Sequence, residues 1–271
     1  MNILKVYRPT YMSLSRVNDC ICYKKTDVDK WYRKVSFKNK SSEKVTSAEE
    51  LERISLSRTK RRVKDICLSN DFEFFMTITV NSDNADRFSL LECQSKMIKI
   101  LQKIRRKQKS AFFADFLLNG FSNEMIKAIF KENDLLLKYI FVTEKHENGG
   151  FHFHGMIKNV PLEQVIDFQN DLNEGKQLPY YILNKIEEGE KVYHLKEFDN
   201  LGFNIFEKIH SYNKACSYMT KYILKDYVKS DQNQIFFCSK RLERPTVYLY
   251  PDKDLNEIFG KKNIFCKEIR Y

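Results

Sequence analysis

Residues 137–157 read LKYIFVTEKHENGGFHFHGMI and carry the strongest topological signal in the chain. The two ends of this stretch, 137–143 and 151–157, are rich in β-branched and aromatic residues, which favour strands. Between them lies ENGG at 147–150, a sequence typical of a tight turn because Asn and Gly accept the backbone conformations that hairpins need. The stretch therefore predicts two antiparallel strands joined as a hairpin.

Helices and further strands are predicted on both sides of this hairpin. Ser47, with Glu50 three residues later, predicts a helix N-cap. The predicted helices are 47–68, 90–109, 111–137, 161–173 and 212–229, and the other predicted strands are 74–80, 235–238 and 246–250. Strands interleaved with helices around a hairpin indicate an α+β fold, with a central antiparallel sheet flanked by helices. We expect a basic N-terminal extension at 1–64, a main domain at 65–250 and a tail at 251–271.

Composition limits the class of protein. The chain has 271 residues, a net charge of +11 and 42% hydrophobic residues, so it can form a core and general disorder is excluded. The positive charge favours nucleic acid, an anionic membrane surface or another acidic partner, without choosing among them. No signal peptide and no run of about 18 apolar residues is found. Seven dispersed cysteines indicate reduced thiols. We expect a soluble intracellular protein.

The sequence His152-Phe153-His154 is the first candidate for chemistry. Alternate residues of a strand face the same side, so both imidazoles should project together. Glu144 ends the preceding predicted strand and would lie beside them across the hairpin. Two imidazoles and a carboxylate suit a divalent metal ion with open coordination positions. The alternative is that both histidines are ordinary polar residues of a half-exposed strand.

The second candidate is a helix with two Tyr-x-x-Lys units. Tyr218 and Tyr222 are four residues apart and share one helix face, and Lys221 and Lys225 repeat the spacing. A phenol is a poor nucleophile at neutral pH, but a metal ion and nearby ammonium groups can stabilise its anion. The alternative is an amphipathic helix with aromatic residues on its buried edge.

Two further features are weak alone. Thr77 and Thr79 share a face of the strand at 74–80, as threonines often do in sheets. The basic stretches 53–64 and 96–109 could follow a phosphate backbone, or they could be solvated faces. The abundant Tyr and Phe could stack on single-stranded bases.

The order of these pieces resembles the three motifs of the HUH endonucleases, and most closely the two-tyrosine rolling-circle replication initiators of bacterial plasmids and phages. The first motif corresponds to 75–80, the second to 142–155 and the third to 215–226. The stretch 238–245 is similar to a segment that follows the third motif. The resemblance covers about residues 55–250.

This resemblance implies an α+β fold of the HUH, RRM-like or ferredoxin-like type, with the histidines on a middle strand. It implies that His152, His154 and Glu144 hold Mg²⁺ or Mn²⁺. It also implies that Tyr218 or Tyr222 attacks single-stranded origin DNA, leaving a 5′-phosphotyrosine link and a 3′-hydroxyl that primes rolling-circle synthesis. The second tyrosine would cut the displaced strand.

The resemblance further implies that Lys221 or Lys225 neutralises phosphate, and that 84–137 carries origin specificity. The sequence contains no Gly-x₄-Gly-Lys-[Ser/Thr] phosphate loop. A separate host helicase and a polymerase are therefore expected partners, with no membrane partner, in the bacterial cytoplasm. Two alternatives stay open: an HUH transposase or mobilisation relaxase, and a non-catalytic nucleic-acid-binding module.

Overall fold

The computed structural model describes residues 2–8, 11–16, 47–223 and 235–250. The helices in this part of the chain are α1 (Ala48–Ser69), α2 (Leu90–Leu118), α3 (Asn123–Glu132), α4 (Phe168–Asn173), α5 (Tyr180–Glu187) and α6 (Tyr212–Tyr222). The strands are β1 (Asn2–Arg8), β2 (Tyr11–Arg16), β3 (Phe74–Val80), β4 (Lys138–Lys145), β5 (Phe151–Lys158), β6 (Val165–Asp167), β7 (Val192–Leu195), β8 (Gly202–Lys208), β9 (Phe236–Cys238) and β10 (Thr246–Tyr250). Within these ranges, no helix has the length and apolar character needed to cross a membrane.

The chain divides into two compact units, one within 1–71 and 241–271 and the other within 72–240. In the first unit, β1 pairs antiparallel with both β10 and β2, and α1 contacts β1. The Ser47 side chain accepts a hydrogen bond from the Glu50 backbone, which confirms the predicted N-cap.

The second unit contains a seven-stranded sheet in the order β6-β7-β8-β3-β5-β4-β9. Every pairing in it is antiparallel, which confirms the predicted α+β class. The predicted hairpin is β4–β5, and β5, which carries both histidines, lies in the interior of the sheet as expected. Its turn places Gly149 at φ +85°, a left-handed conformation that glycine adopts without a Cβ clash.

One face of this sheet forms the main core. Met76 and Ile78 of β3 and Phe153 of β5 point to this face, where they pack with Met97 and Leu101 of α2. All five side chains are fully buried. Because side chains alternate along a strand, this core fixes which residues of β3 and β5 point to the opposite face.

Glycine 155 shows how closely this core is packed. A Cβ at Gly155 would lie 2.2 Å from the Phe141 ring and 2.7 Å from the Ile140 carbonyl oxygen. The glycine that follows His154 therefore allows the Phe141 ring to lie directly over β5.

The helices between β3 and β4 differ from the prediction. Helix α2 continues past residue 109 to Leu118, because no Gly or Pro interrupts the sequence before Gly120. The predicted helix 111–137 is wrong as one element. It is broken where Gly120 adopts φ +82°, and α3 begins afresh with Ser122 as its N-cap.

The region after β5 was the least predictable. The predicted helix 161–173 is confirmed only over α4, because a 3₁₀ turn and the short strand β6 precede it. Helix α5 and strands β7 and β8 were not predicted. The helix predicted at 212–229 is confirmed as α6 over Tyr212–Tyr222, and 224–230 lie outside the described residues.

Candidate functional site

The face of the sheet opposite the main core carries both predicted histidines. His152 pairs with Thr79 of β3 and His154 pairs with Thr77, so four polar side chains form a block in the middle of the sheet. His154 is 4% exposed and His152 is half-buried. The structure thus brings both imidazoles to one side, as the strand period predicts.

The threonines hold one nitrogen of each ring. The Oγ1 of Thr77 lies 3.1 Å from Nδ1 of His154, and the Oγ1 of Thr79 lies 3.3 Å from Nδ1 of His152. A second hydrogen bond of this kind orients metal-binding histidines and leaves the other ring nitrogen for the ion. Sequence reasoning gave these threonines no role, because the pairing of β3 with β5 was not predictable.

Glu144 completes the block from β4. It pairs with His152 in the sheet register, and its Oε2 lies 2.6 Å from Nε2 of His154. The carboxylate therefore reaches diagonally across the hairpin to the more buried ring. The three residues that the sequence grouped as metal ligands do lie together on one face.

The chemistry of these donors fits a divalent ion, since two imidazole nitrogens and a carboxylate are a known ligand type. Across the described residues, however, no group of three or more His, Cys, Asp or Glu side chains already converges as a ligand set. The hydrogen bond between Glu144 and His154 joins two of the donors directly. Metal binding would have to replace that bond.

A third histidine lies at the same site and was not singled out from the sequence. The His146 ring, in the β4–β5 turn, stacks on His152 with centroids 4.9 Å apart and an 18° angle between the planes. Burial lowers the pKa of His152, the charges of His146 and His154 lower it further, and Glu144 acts in the opposite direction. The lowered pKa favours neutral imidazole, the form that binds metals.

Helix α6 places Tyr218 over this site. The Tyr218 ring meets His154 edge-on at 5.3 Å between centroids, and it meets Phe75 in the same way at 5.4 Å. The helix is fixed by its buried side chains Cys216 and Met219, while Tyr218 remains 42% exposed. A tyrosine accessible to solvent therefore contacts a histidine of the candidate metal site.

The other predicted residues of this helix are placed less completely. Tyr222 is the last residue of α6, and its side chain lies outside the part of the structure that is described. Lys221 is exposed on the same helix. Lys225 lies outside the described residues, so its predicted role stays a prediction.

A separate histidine cluster lies on the sheet near β7. His194 is buried, and its Nε2 and Nδ1 lie 2.9 Å from Asp171 and 3.0 Å from Asp199. Asn204 also donates to Asp199, and Lys176 forms an ion pair with Asp171. Both ring nitrogens are thus occupied by carboxylates.

Comparison with known proteins assigns the chain to a family. Residues 73–227, more than half of the chain, match the family model described as replication-associated protein of the ORF2 type, and the chain belongs to this family. The matched range includes the whole site from β3 to α6. No curated protein and no solved structure was found to match. The protein is therefore a replication-associated protein.

Proposed function

We propose that this protein starts rolling-circle replication by nicking single-stranded origin DNA with a tyrosine. The observation that carries the proposal is the contact between Tyr218 and His154, whose ring also meets Glu144. A nucleophile and a cluster of metal-type donors lie side by side, in a chain that belongs to a replication-associated family. The order of motifs resembles the two-tyrosine initiators in the same way.

The proposed reaction is a transesterification. The Tyr218 phenol oxygen forms a bond to the scissile phosphorus, and the bond from phosphorus to the 3′ oxygen breaks. The phenol loses a proton and the 3′ oxygen gains one, so the number of phosphate ester bonds is unchanged. The product is a 5′-phosphotyrosine link and a free 3′-hydroxyl, which a polymerase can extend.

The residues of the site would divide the work. His152, His154 and Glu144 would hold Mg²⁺ or Mn²⁺, with Thr77 and Thr79 orienting the rings. The ion would stabilise negative charge on the phosphate and on the phenol oxygen.

Tyr218 is our candidate for the first attack because its ring contacts His154. Tyr222 would make the second cut, with Lys221 and Lys225 neutralising phosphate. In this scheme DNA unwinding falls to a separate host helicase, and the protein acts in the bacterial cytoplasm.

The test is covalent capture of DNA. The purified protein would be incubated with single-stranded DNA from its own replicon and Mn²⁺, and protein–DNA adducts would be counted on denaturing gels. We expect Tyr218→Phe to reduce the first adduct by at least about 1000-fold, since the nucleophile is lost. Tyr180→Phe, which changes an exposed tyrosine 77% open to solvent, is the matched control.

The outcomes separate the alternatives. An adduct that needs metal and disappears in a Tyr218→Phe/Tyr222→Phe double variant supports the tyrosine nuclease. An adduct lost in Tyr222→Phe alone would reverse the assigned order of the tyrosines. Tight, salt-sensitive binding without nicking or adduct would favour a non-catalytic module. Activity on the ends of a mobile element, rather than on an origin, would favour a transposase or relaxase.

A further inference from the structure

A pocket opens beside Tyr218 on the same face of the sheet. Its volume is about 580 Å³, within the range of small-molecule sites. Phe75 of β3 and Ile205 of β8 form its floor, Tyr181 of α5 lies on one wall, and Tyr218 lies on another. We call it the Phe75 pocket.

The surface of the Phe75 pocket is mostly apolar, with an aromatic wall. Tyr181 is 49% exposed, and its ring meets Phe203 edge-on at 6.3 Å between centroids. An accessible aromatic ring that is held by a neighbour is a good surface for stacking a nucleobase, because every base has a π-face.

The rim of the pocket is cationic. Lys208 and Lys214 are exposed there, and neither forms an ion pair with any described residue. The one acidic side chain in the lining, Glu207, is paired with Lys185, which also bonds Glu190 at 3.0 Å. The rim thus keeps positive charge for a phosphate, as the sugar-phosphate link of a bound nucleotide requires.

We propose that the Phe75 pocket binds one unpaired base of single-stranded DNA, next to the phosphodiester that Tyr218 attacks. Tyr181 stacks on the base, and Lys208 and Lys214 hold the adjoining phosphates. The bound base fixes the position of the scissile phosphate against Tyr218. This inference rests on the proposed function for its choice of DNA strand, but its test does not need nicking.

The test measures binding of two labelled probes by fluorescence anisotropy in EDTA. One probe is a dodecamer of thymidine, and the other has the same phosphates but abasic sites throughout. We expect wild type to prefer the thymidine probe, and Tyr181→Ala to reduce that preference about 5- to 50-fold. Tyr181→Phe should keep the preference, and Tyr180→Ala is the control for the neighbouring exposed tyrosine.

The lysines give the opposite pattern. Lys208→Gln and Lys214→Gln should weaken both probes equally and reduce the salt dependence of binding, because they contact phosphate. Lys191→Gln, an exposed lysine that does not line the pocket, is the control. Thermal unfolding of each variant would confirm that it is folded.

The results distinguish the two proposals. An unchanged base preference in a folded Tyr181→Ala variant overturns the pocket assignment, even if wild type forms the Mn²⁺-dependent adduct. Loss of base preference in that variant supports the pocket, even if no adduct ever forms. In the latter case the tyrosine nuclease fails alone.

Discussion

Two buried histidines on the same sheet are held in contrasting ways. His154 has a threonine hydroxyl at Nδ1 and a single carboxylate, Glu144, at Nε2. His194 has a carboxylate at each nitrogen, from Asp171 and Asp199. The first arrangement can exchange its carboxylate contact for a metal ion. The second has no nitrogen lone pair to give, because both nitrogens must donate to carboxylates.

Their surroundings also differ in charge. Burial opposes the charged form of His194, but the hydrogen bonds and charges of Asp199 and Asp171 raise its pKa above the ordinary value. At the candidate site, burial and its neighbours lower the pKa of His152. The contrast teaches that burial alone does not identify a functional histidine, since the number of carboxylates at the ring determines whether it binds protons or metals.

The largest expected effect comes from removing a candidate ligand. We expect His154→Ala to reduce Mn²⁺-dependent adduct formation by about 1000-fold or more, because several kcal/mol of charge stabilisation would be lost. His194→Gln should leave the rate of adduct formation per folded molecule within about threefold. The measurement is single-turnover adduct formation, corrected for the folded fraction. A similar loss in both variants would show that the comparison between the two histidines is mistaken.

The next effect concerns stability. We expect His194→Gln to lower the free energy of unfolding by about 2 kcal/mol, because it leaves the buried Asp171 carboxylate without its histidine partner. His152→Ala should cost less, since His152 is only half-buried and makes a single hydrogen bond to a threonine. Urea unfolding of each variant without metal would measure the difference. A larger loss in His152→Ala would contradict the assignment of His194 as the structural residue.

A smaller effect should come from the threonines. We expect Thr77→Val to weaken Mn²⁺ binding about tenfold, because the hydrogen bond that orients His154 is removed while the side-chain volume is kept. Isothermal titration calorimetry would measure it. The control is Thr143→Val, because Thr143 lies on the opposite face of β4 and bonds Gln94 instead. Equal affinities in wild type and Thr77→Val would remove the threonines from the site.

The smallest effect is a pH dependence of stability. The pKa of His194 is raised above 6.5, so its contribution is complete below about pH 6.5 and is lost as pH rises through the folded-state value. Burial opposes ionisation of Asp171, but Lys176 and His194 lower its pKa below 3.8, so its contribution is lost only as pH falls through that lower value. His152 acts oppositely to His194, because its lowered pKa costs stability as pH falls below 6.5.

Unfolding of wild type and His194→Gln at about pH 5.5 and about pH 8.5 would test this. The stability difference between the two proteins should be larger at the lower pH, because His194 is then charged in the folded state. A larger difference at the higher pH would contradict a charged His194.

The sequence was sufficient for features that depend on neighbouring residues. The ENGG turn predicts the β4–β5 hairpin, and the strand period places His152 and His154 on one face with Glu144 opposite. The helical period likewise predicts α6. In each case the decisive residues are close in the sequence, so local backbone preferences are enough.

The remaining features depend on which strands become neighbours. Thr77 bonds His154 only because β3 pairs with β5 across 77 positions. Strand β8, which has Ile205 and Glu207 in the Phe75 pocket, has no turn signal before it that resembles ENGG. The Asp171–His194–Asp199 cluster joins three segments, and no spacing in the sequence marks it. Such contacts are decided by the packing of the whole sheet.

The order of strands in the sheet has a consequence during synthesis. Strand β3 is made early, but its neighbours β5 and β8 emerge only at residues 151–158 and 202–208, and α6 follows them. Until then both edges of β3 lack partners and can pair with other chains. A nascent or truncated chain that stops before residue 212 lacks Tyr218, so it would have the histidines without the proposed nucleophile. Any strand-cutting activity would thus be withheld until this unit is nearly complete.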